Sequence, residues 1–179
     1  MKQTILTAVV AGVLATSPLF SSKLPSGATE QERLADKVRH ELVMLPFYGV
    51  FDQMSFSLEG HKVILTGQVT RPTLQSSAGN VVKRIPGVEE VDNRIEVLPL
   101  SPNDDRLRLA LYRTIFGQAS LGRYTLGANP PVRIIVKNGN VTLTGVVINE
   151  MDKNLAGLFA NQVPGVFSVT NKLVVDKKS

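Results

Sequence analysis

One segment of this chain occurs twice. Val63-Ile64-Leu65-Thr66-Gly67-Gln68-Val69 returns as Val141-Thr142-Leu143-Thr144-Gly145-Val146-Val147, and from Gly67 to Gly145 is 78 residues. The same offset carries Ala78-Gly79 onto Ala156-Gly157, Pro86-Gly87-Val88 onto Pro164-Gly165-Val166, Asn93 onto Asn171 and Val97 onto Val175. Between Val63 and Val97 about a third of positions match their partners, and most of the others keep their polarity. Whatever one copy folds into, the other must fold into as well. Each copy is longer than the roughly 20–50 residues of a stacked solenoid repeat, so the duplication predicts two small domains.

The copies spell the same order of elements. In the first, Thr29-Glu30-Gln31-Glu32 is a capping box, with Leu34, Val38, Leu42 and Leu45 at helical spacing after it and Pro46 ending the helix. An alternating strand follows with Phe56 and Leu58 inward. Gly60-His61 turns the chain into a second strand, where Val63, Leu65, Gly67 and Val69 share a face. A helix starts at Thr70-Arg71-Pro72 and stops at Pro86-Gly87, before a strand from Val91 to Val97.

In the second copy Ser101-Pro102-Asn103-Asp104 opens a helix running to about Phe116, followed by a longer insertion from Gly117 to Pro131. A strand from Val132 to Lys137 turns at Asn138-Gly139 into the Val141–Val147 strand. A helix from about Glu150 to Gln162, capped by Asn149, then leads to a last strand from Val169 to Val175. The expected fold class is α+β: two repeated αββαβ domains, each a three-stranded mixed sheet covered on one face by two helices. The expected boundaries are residues 29–98 and 103–176, with 99–102 as a short Pro-containing linker. Leu98-Pro99-Leu100-Ser101-Pro102 is too short and stiff for a free tether, so the domains should hold a restricted orientation. Gly67 and Gly145 on the inward faces mark either a close helix approach or a bulge.

Residues 1–28 read as a signal peptide. Met1-Lys2 is followed by an apolar run from Ile5 to Ala15, too short for a membrane span of about 20 residues. Ser26-Gly27-Ala28 then offers small residues before a cut at Thr29, with an earlier cut near Ser21 as the alternative. The expected destination is the periplasm. The chain has no cysteine, which excludes disulfides, thiol catalysis, cysteine-based zinc sites and a cysteine-borne lipid anchor. With only His40 and His61, no catalytic constellation or His-rich metal site can be assembled, and no phosphate-cradling glycine loop is present. The expectation is a non-catalytic protein with no cofactor and no metal. Export also argues against nucleic acid as the partner of the basic charge.

That charge is lopsided. Residues 29–99 carry ten acids and eight bases, and residues 100–179 carry five acids and ten bases. One copy is therefore suited to an anionic partner and the other is not.

Val63, Leu65, Gly67, Val69, Pro86, Gly87, Val88 and Asn93, with Val141, Leu143, Gly145, Val147, Pro164, Gly165, Val166 and Asn171, give Val-x-Leu-x-Gly-x-Val, a helix, Pro-Gly-Val and an Asn-led strand twice in register. This pattern resembles the BON (bacterial osmotically inducible and nodulation) domain family. The resemblance covers nearly everything after residue 28. It implies a tandem envelope protein associated with phospholipid binding, envelope integrity and osmotic stress, of the soluble periplasmic kind and not a lipoprotein.

The first helices of the two copies differ. In the first copy the outer face is Asp36, Lys37, Arg39 and His40, an ordinary solvated surface. In the second, Leu107, Ala110, Leu111, Thr114 and Ile115 can face the core while Leu109, Tyr112 and Phe116 form another apolar stripe, flanked by Arg106, Arg108 and Arg113. Arg123 and Tyr124 in the insertion could extend it. A ring-bearing stripe edged by guanidinium groups suits an anionic phospholipid surface, and the resemblance points to the same helix. Packing of the stripe against the first domain or the insertion accounts for the pattern equally well. A further alternative is a soluble periplasmic chaperone-like module that binds envelope proteins.

Overall fold

The computed structural model describes residues 29–127 and 129–176. The signal-peptide expectation falls on residues outside that range. The elements run α1 (Glu30–Val43), β1 (Gln53–Glu59), β2 (Lys62–Val69), α2 (Pro72–Lys83), β3 (Glu90–Val97), α3 (Pro102–Phe116), β4 (Val132–Lys137), β5 (Asn140–Val147), α4 (Glu150–Asn161) and β6 (Ser168–Val175). The fold is α+β, built from two αββαβ units. Each sheet has three strands, ordered β1-β2-β3 and β4-β5-β6. The first pair in each is antiparallel and the second parallel, as a hairpin and a helical crossover require.

The local signals act as their chemistry dictates. Thr29 and Glu32 close the capping box reciprocally. Ser101 and Asn149 accept from the amides of Asp104 and Asp152 to start α3 and α4. One helix face of each domain is dry: Leu34, Val38 and Leu42 on α1, and Leu107, Leu111 and Ile115 on α3. These pack with Val63, Leu65 and Val69 in one core and with Val141, Leu143 and Val147 in the other. The insertion holds a short 3₁₀ turn, Gly122–Thr125, which the sequence pattern did not anticipate.

Gly67 and Gly145 serve neither purpose expected of them. Pairing runs without an extra residue from Gln53↔Gln68 through Met54↔Gly67, so there is no bulge. A Cβ on Gly67 would lie 2.1 Å from the Gln53 carbonyl oxygen, and one on Gly145 1.9 Å from that of Pro131. The neighbouring strand, not a helix, forbids a side chain, and both glycines hold positive φ (129° and 116°). The close helix approach occurs at Gly79 and Gly157. There a Cβ would meet the side-chain nitrogen of Asn93 or Asn171 at 2.9 Å. Each of those amides bonds a helix carbonyl, Gln75 O or Lys153 O. The repeated Asn is thus a sheet-to-helix tie, and the repeated Gly makes room for it.

The domains are joined by more than the linker. The Ile134 amide donates to Val50 O (2.8 Å), so the loop before β1 lies along the free edge of β4. Val50 and Phe51 pack on the second core although they belong to the first copy. The outward-facing residues of β4 add to this. Arg133 donates to Gly49 O and lies 4.4 Å from the centre of the Tyr48 ring, and Lys137 pairs with Glu96 at 2.5 Å. Ile64 and Ile135 are both buried on the sheet faces turned away from the helices, yet belong to neither core.

Candidate functional site

The outer face of α3 divides in two. Leu109 is 51% exposed and Tyr112 36%, and Arg106 and Arg113 are open to solvent. Phe116 is buried. Its ring meets Tyr112 edge-on at 5.1 Å, and Tyr112 meets Phe51 edge-on at 6.3 Å. The expected continuous stripe is therefore corrected: its C-terminal end joins the domains, because Phe51 arrives from the first copy to cover it. Edge-to-face contacts of this kind contribute about 0.5–1.5 kcal/mol each beyond the area they bury.

Arg108 also departs from expectation. It is buried, pairs with Asp105 at 2.5 Å and donates to Val136 O at 2.7 Å, so it ties α3 to the end of β4. Tyr124 is buried too, and its hydroxyl donates to Asp152 (2.5 Å) and accepts from the Ile148 amide (2.9 Å). Burial, then the Asp152 carboxylate, raises the Tyr124 pKa. Arg123 is spoken for by the same carboxylate, and that hydrogen bond raises its pKa. Arg108, Phe116, Arg123 and Tyr124 are thus structural in their contacts. Arg106, Leu109, Tyr112 and Arg113 remain at the surface.

The surviving face is larger than α3 alone. Leu100 of the linker is 96% exposed, and Phe47, in the loop after α1, is 70% exposed. Arg71, at the start of α2, lies 4.7 Å from the centre of the Phe47 ring. A groove of about 430 Å³ runs where the linker passes between the domains, with Arg71, Leu100 and Leu109 in its walls. Arg71, Arg106 and Arg113 form no ion pair among the described residues. The Arg106 guanidinium donates only to the neutral amide of Asn103. Apolar side chains therefore stand out beside three guanidinium groups that no carboxylate pairs among the described residues. Phe47, Arg71 and Leu100 come from the first copy and the linker, and no periodicity within α3 could have placed them there.

Several other polar groups brace the scaffold. Asp104 receives the amides of Asn138 and Gly139 and so locks the β4–β5 turn. Asp52 receives those of Gly49 and Thr70 together with the Thr70 hydroxyl. His61 is exposed, with Nδ1 2.9 Å from Gly87 O. Among the described residues no group of three or more His, Asp or Glu side chains could hold a metal ion. No helix there is long and apolar enough to cross a membrane.

The BON domain family model matches residues 31–99 and again residues 118–177. The chain belongs to the BON domain family. Both copies match, so the duplication read from the sequence is a tandem pair of BON domains. The second match begins just after α3. No curated protein matches the sequence. Among solved structures, CdsD, a structural protein of the type III secretion system of Chlamydia trachomatis, aligns over 81% of this chain and 94% of its own at 13% identity, with a TM-score of 0.31. The C-terminal domain of CdsD aligns over 83% and 100% at 15% identity, with a TM-score of 0.30. Superpositions this loose carry no argument about function. BON domains are associated with osmotic stress and with membrane or phospholipid binding, and the family is generally non-catalytic.

Proposed function

We propose that this chain is a non-catalytic envelope protein of the periplasm that docks on anionic phospholipid and supports envelope integrity under osmotic stress. The docking surface is the exposed half of the α3 face, Arg106, Leu109, Tyr112 and Arg113, continued by Leu100, Phe47 and Arg71. The observation that carries the reading is the exposure of Leu100, Leu109 and Phe47 beside three guanidinium groups without carboxylate partners among the described residues. Near an anionic surface each such cation contributes about 1 kcal/mol. Three cations with two or three inserted apolar side chains support reversible attachment, well short of permanent anchoring. The excess of bases in the second copy favours the same leaflet chemistry.

The test is cosedimentation of residues 29–179 with vesicles. Phosphatidylglycerol vesicles should pellet the protein at low salt, phosphatidylcholine vesicles should not, and Arg106→Glu with Arg113→Glu should release it. Equal pelleting with both lipids, or none with either, would reject the reading. The part of the ring stripe already used between domains leaves a protein-binding alternative open. If Tyr112→Asp protein still suppresses aggregation of an unfolded client while no vesicle binds, a soluble chaperone-like module is the better description.

A further inference from the structure

β1 is an edge strand whose free side has a counterpart in the other domain that is already filled. Met54, Phe56 and Leu58 correspond to Val132, Ile134 and Val136, since Phe56 pairs with Leu65 as Ile134 pairs with Leu143. In the second domain the outward amide of Ile134 donates to Val50 O, and Phe51 fills the angle between β4 and α3. In the first domain the amides of the even-numbered β1 residues point outward in the same way. That of Met54 shows the direction, reaching the Tyr48 hydroxyl at 3.4 Å. No acceptor among the described residues meets the Phe56 or Leu58 amide on that side. Beside them lies an open groove of about 520 Å³, walled by Leu42, Tyr48, Met54, Phe56 and Leu58, with the Arg39 guanidinium 6.0 Å from the centre of the Phe56 ring.

Native edge strands are normally blunted by a charge, a proline or a bulge. From Met54 to Leu58 this one has none of them. Its sequence is also its own complement. An antiparallel pairing of two β1 strands centred on Phe56 sets Phe56 opposite Phe56, Met54 opposite Leu58, Ser55 opposite Ser57 and Gln53 opposite Glu59. Each pair is chemically matched: ring with ring, thioether with aliphatic, hydroxyl with hydroxyl, amide with carboxylate. Because the even residues carry their amides and carbonyls outward, the Phe56 pair falls at a hydrogen-bonded position. A twofold axis can then pass through it. Ser55 and Ser57 are exposed, so the second domain does not cover this edge.

We infer that the occupant of the β1 edge is the β1 strand of a second copy, giving a twofold dimer with a continuous six-stranded sheet. The second domain takes a loop of its own chain at this edge, and the first takes a strand of another copy. The surface is separate from the lipid face proposed above and does not depend on it.

The chain has no cysteine, so register can be read by cross-linking. Ser55→Cys and Ser57→Cys proteins, purified separately, mixed and mildly oxidised, should give covalent dimer in several-fold excess over either protein alone. Position 55 faces position 57 of the second copy and not itself. In sedimentation equilibrium, the double variant Ser55→Lys with Ser57→Lys should raise the dimer dissociation constant about tenfold or more by setting like charges opposite each other. Its melting temperature at a concentration where wild type is monomeric should be unchanged, because both side chains are exposed. Equal cross-linking in all three samples, a monomer at every concentration, or a dimer indifferent to the lysines would overturn the inference. Recovery of a different protein in place of the dimer would overturn it as well.

Discussion

α1 and α3 begin the two domains in the same way and end with opposite surfaces. Leu34 approaches Gly87 as Leu107 approaches Gly165, and that contact fixes the correspondence. Val38 then matches Leu111, and Leu42 matches Ile115, at an offset of 73 residues in place of the 78 found between the sheets. On the outer face Asp36 corresponds to Leu109, Arg39 to Tyr112 and Val43 to Phe116. Arg39 is occupied by Asp36 (2.7 Å), an ordinary solvated pair, whereas Tyr112 stands between two other rings. Positions under the core constraint were kept and those outside it diverged. Duplication supplied two scaffolds, and a few residues on one helix made one of them an acceptor for the other's loop while leaving Leu109 and its flanking arginines exposed.

The largest effect should come from breaking what the domains share. Gly67→Ala and Gly145→Ala each push a Cβ onto a carbonyl oxygen at positive φ, and each should cost about 3 kcal/mol or more. Separate chemical unfolding of the two variants should give closely similar losses. If one is tolerated, the copies are not equivalent at that strand.

The next effect belongs to the second domain alone. Asp152→Ala strips the buried Tyr124 hydroxyl and the Arg123 guanidinium of the carboxylate they share at the start of α4. Leaving such a group unsatisfied costs about 1–3 kcal/mol. The first domain has Leu74 at the matching place and no such brace. The loss should therefore appear in amide exchange of α4 and the 3₁₀ turn, with α2 unchanged.

Phe51→Ala tests the seam. Phe51 is only partly buried, so a cost of about 1–2 kcal/mol is expected, below that of a fully buried ring. The more telling readout is cooperativity: one calorimetric transition should separate into two as Tyr112 loses its cover from the first domain.

The smallest effect is electrostatic. Hydrogen bonds from Lys137, then Gln68, lower the Glu96 pKa. A carboxylate with a depressed folded pKa contributes stability above its unfolded value, and that contribution is lost as pH falls through the folded one. The Lys137–Glu96 pair is more than a third exposed on both sides, so the change below pH about 4.5 should stay under about 1 kcal/mol and vanish in Glu96→Gln protein.

Much of the architecture was legible because it is local. Caps at Thr29, Ser101 and Asn149, stops at Pro86 and Pro164, and the Asn138-Gly139 turn each act within a few residues of themselves. The surface was less legible because it depends on what arrives from elsewhere. The pattern of α3 shows that Leu109, Tyr112 and Phe116 lie off the core face. It does not show that Phe51 will come to rest on Tyr112. Arg108 has the same sequence context as Arg106, yet only Arg108 faces the Val136 carbonyl. Asp104 resembles a helix-start acid, and its partners at Asn138 and Gly139 are set by the hairpin's return. Repetition identified the scaffold, and non-repetition identified α3, though not how its outer face would be divided.

Single cysteines at matched positions put the asymmetry to its plainest trial. An environment-sensitive fluorophore on Leu109→Cys should shift to the blue and become protected from an aqueous quencher when phosphatidylglycerol vesicles are added. The same fluorophore on Asp36→Cys, its counterpart on α1, should report unchanged water. A shift at both sites, at Asp36 alone, or at neither would contradict the assignment of lipid contact to the outer face of α3 and not to that of α1.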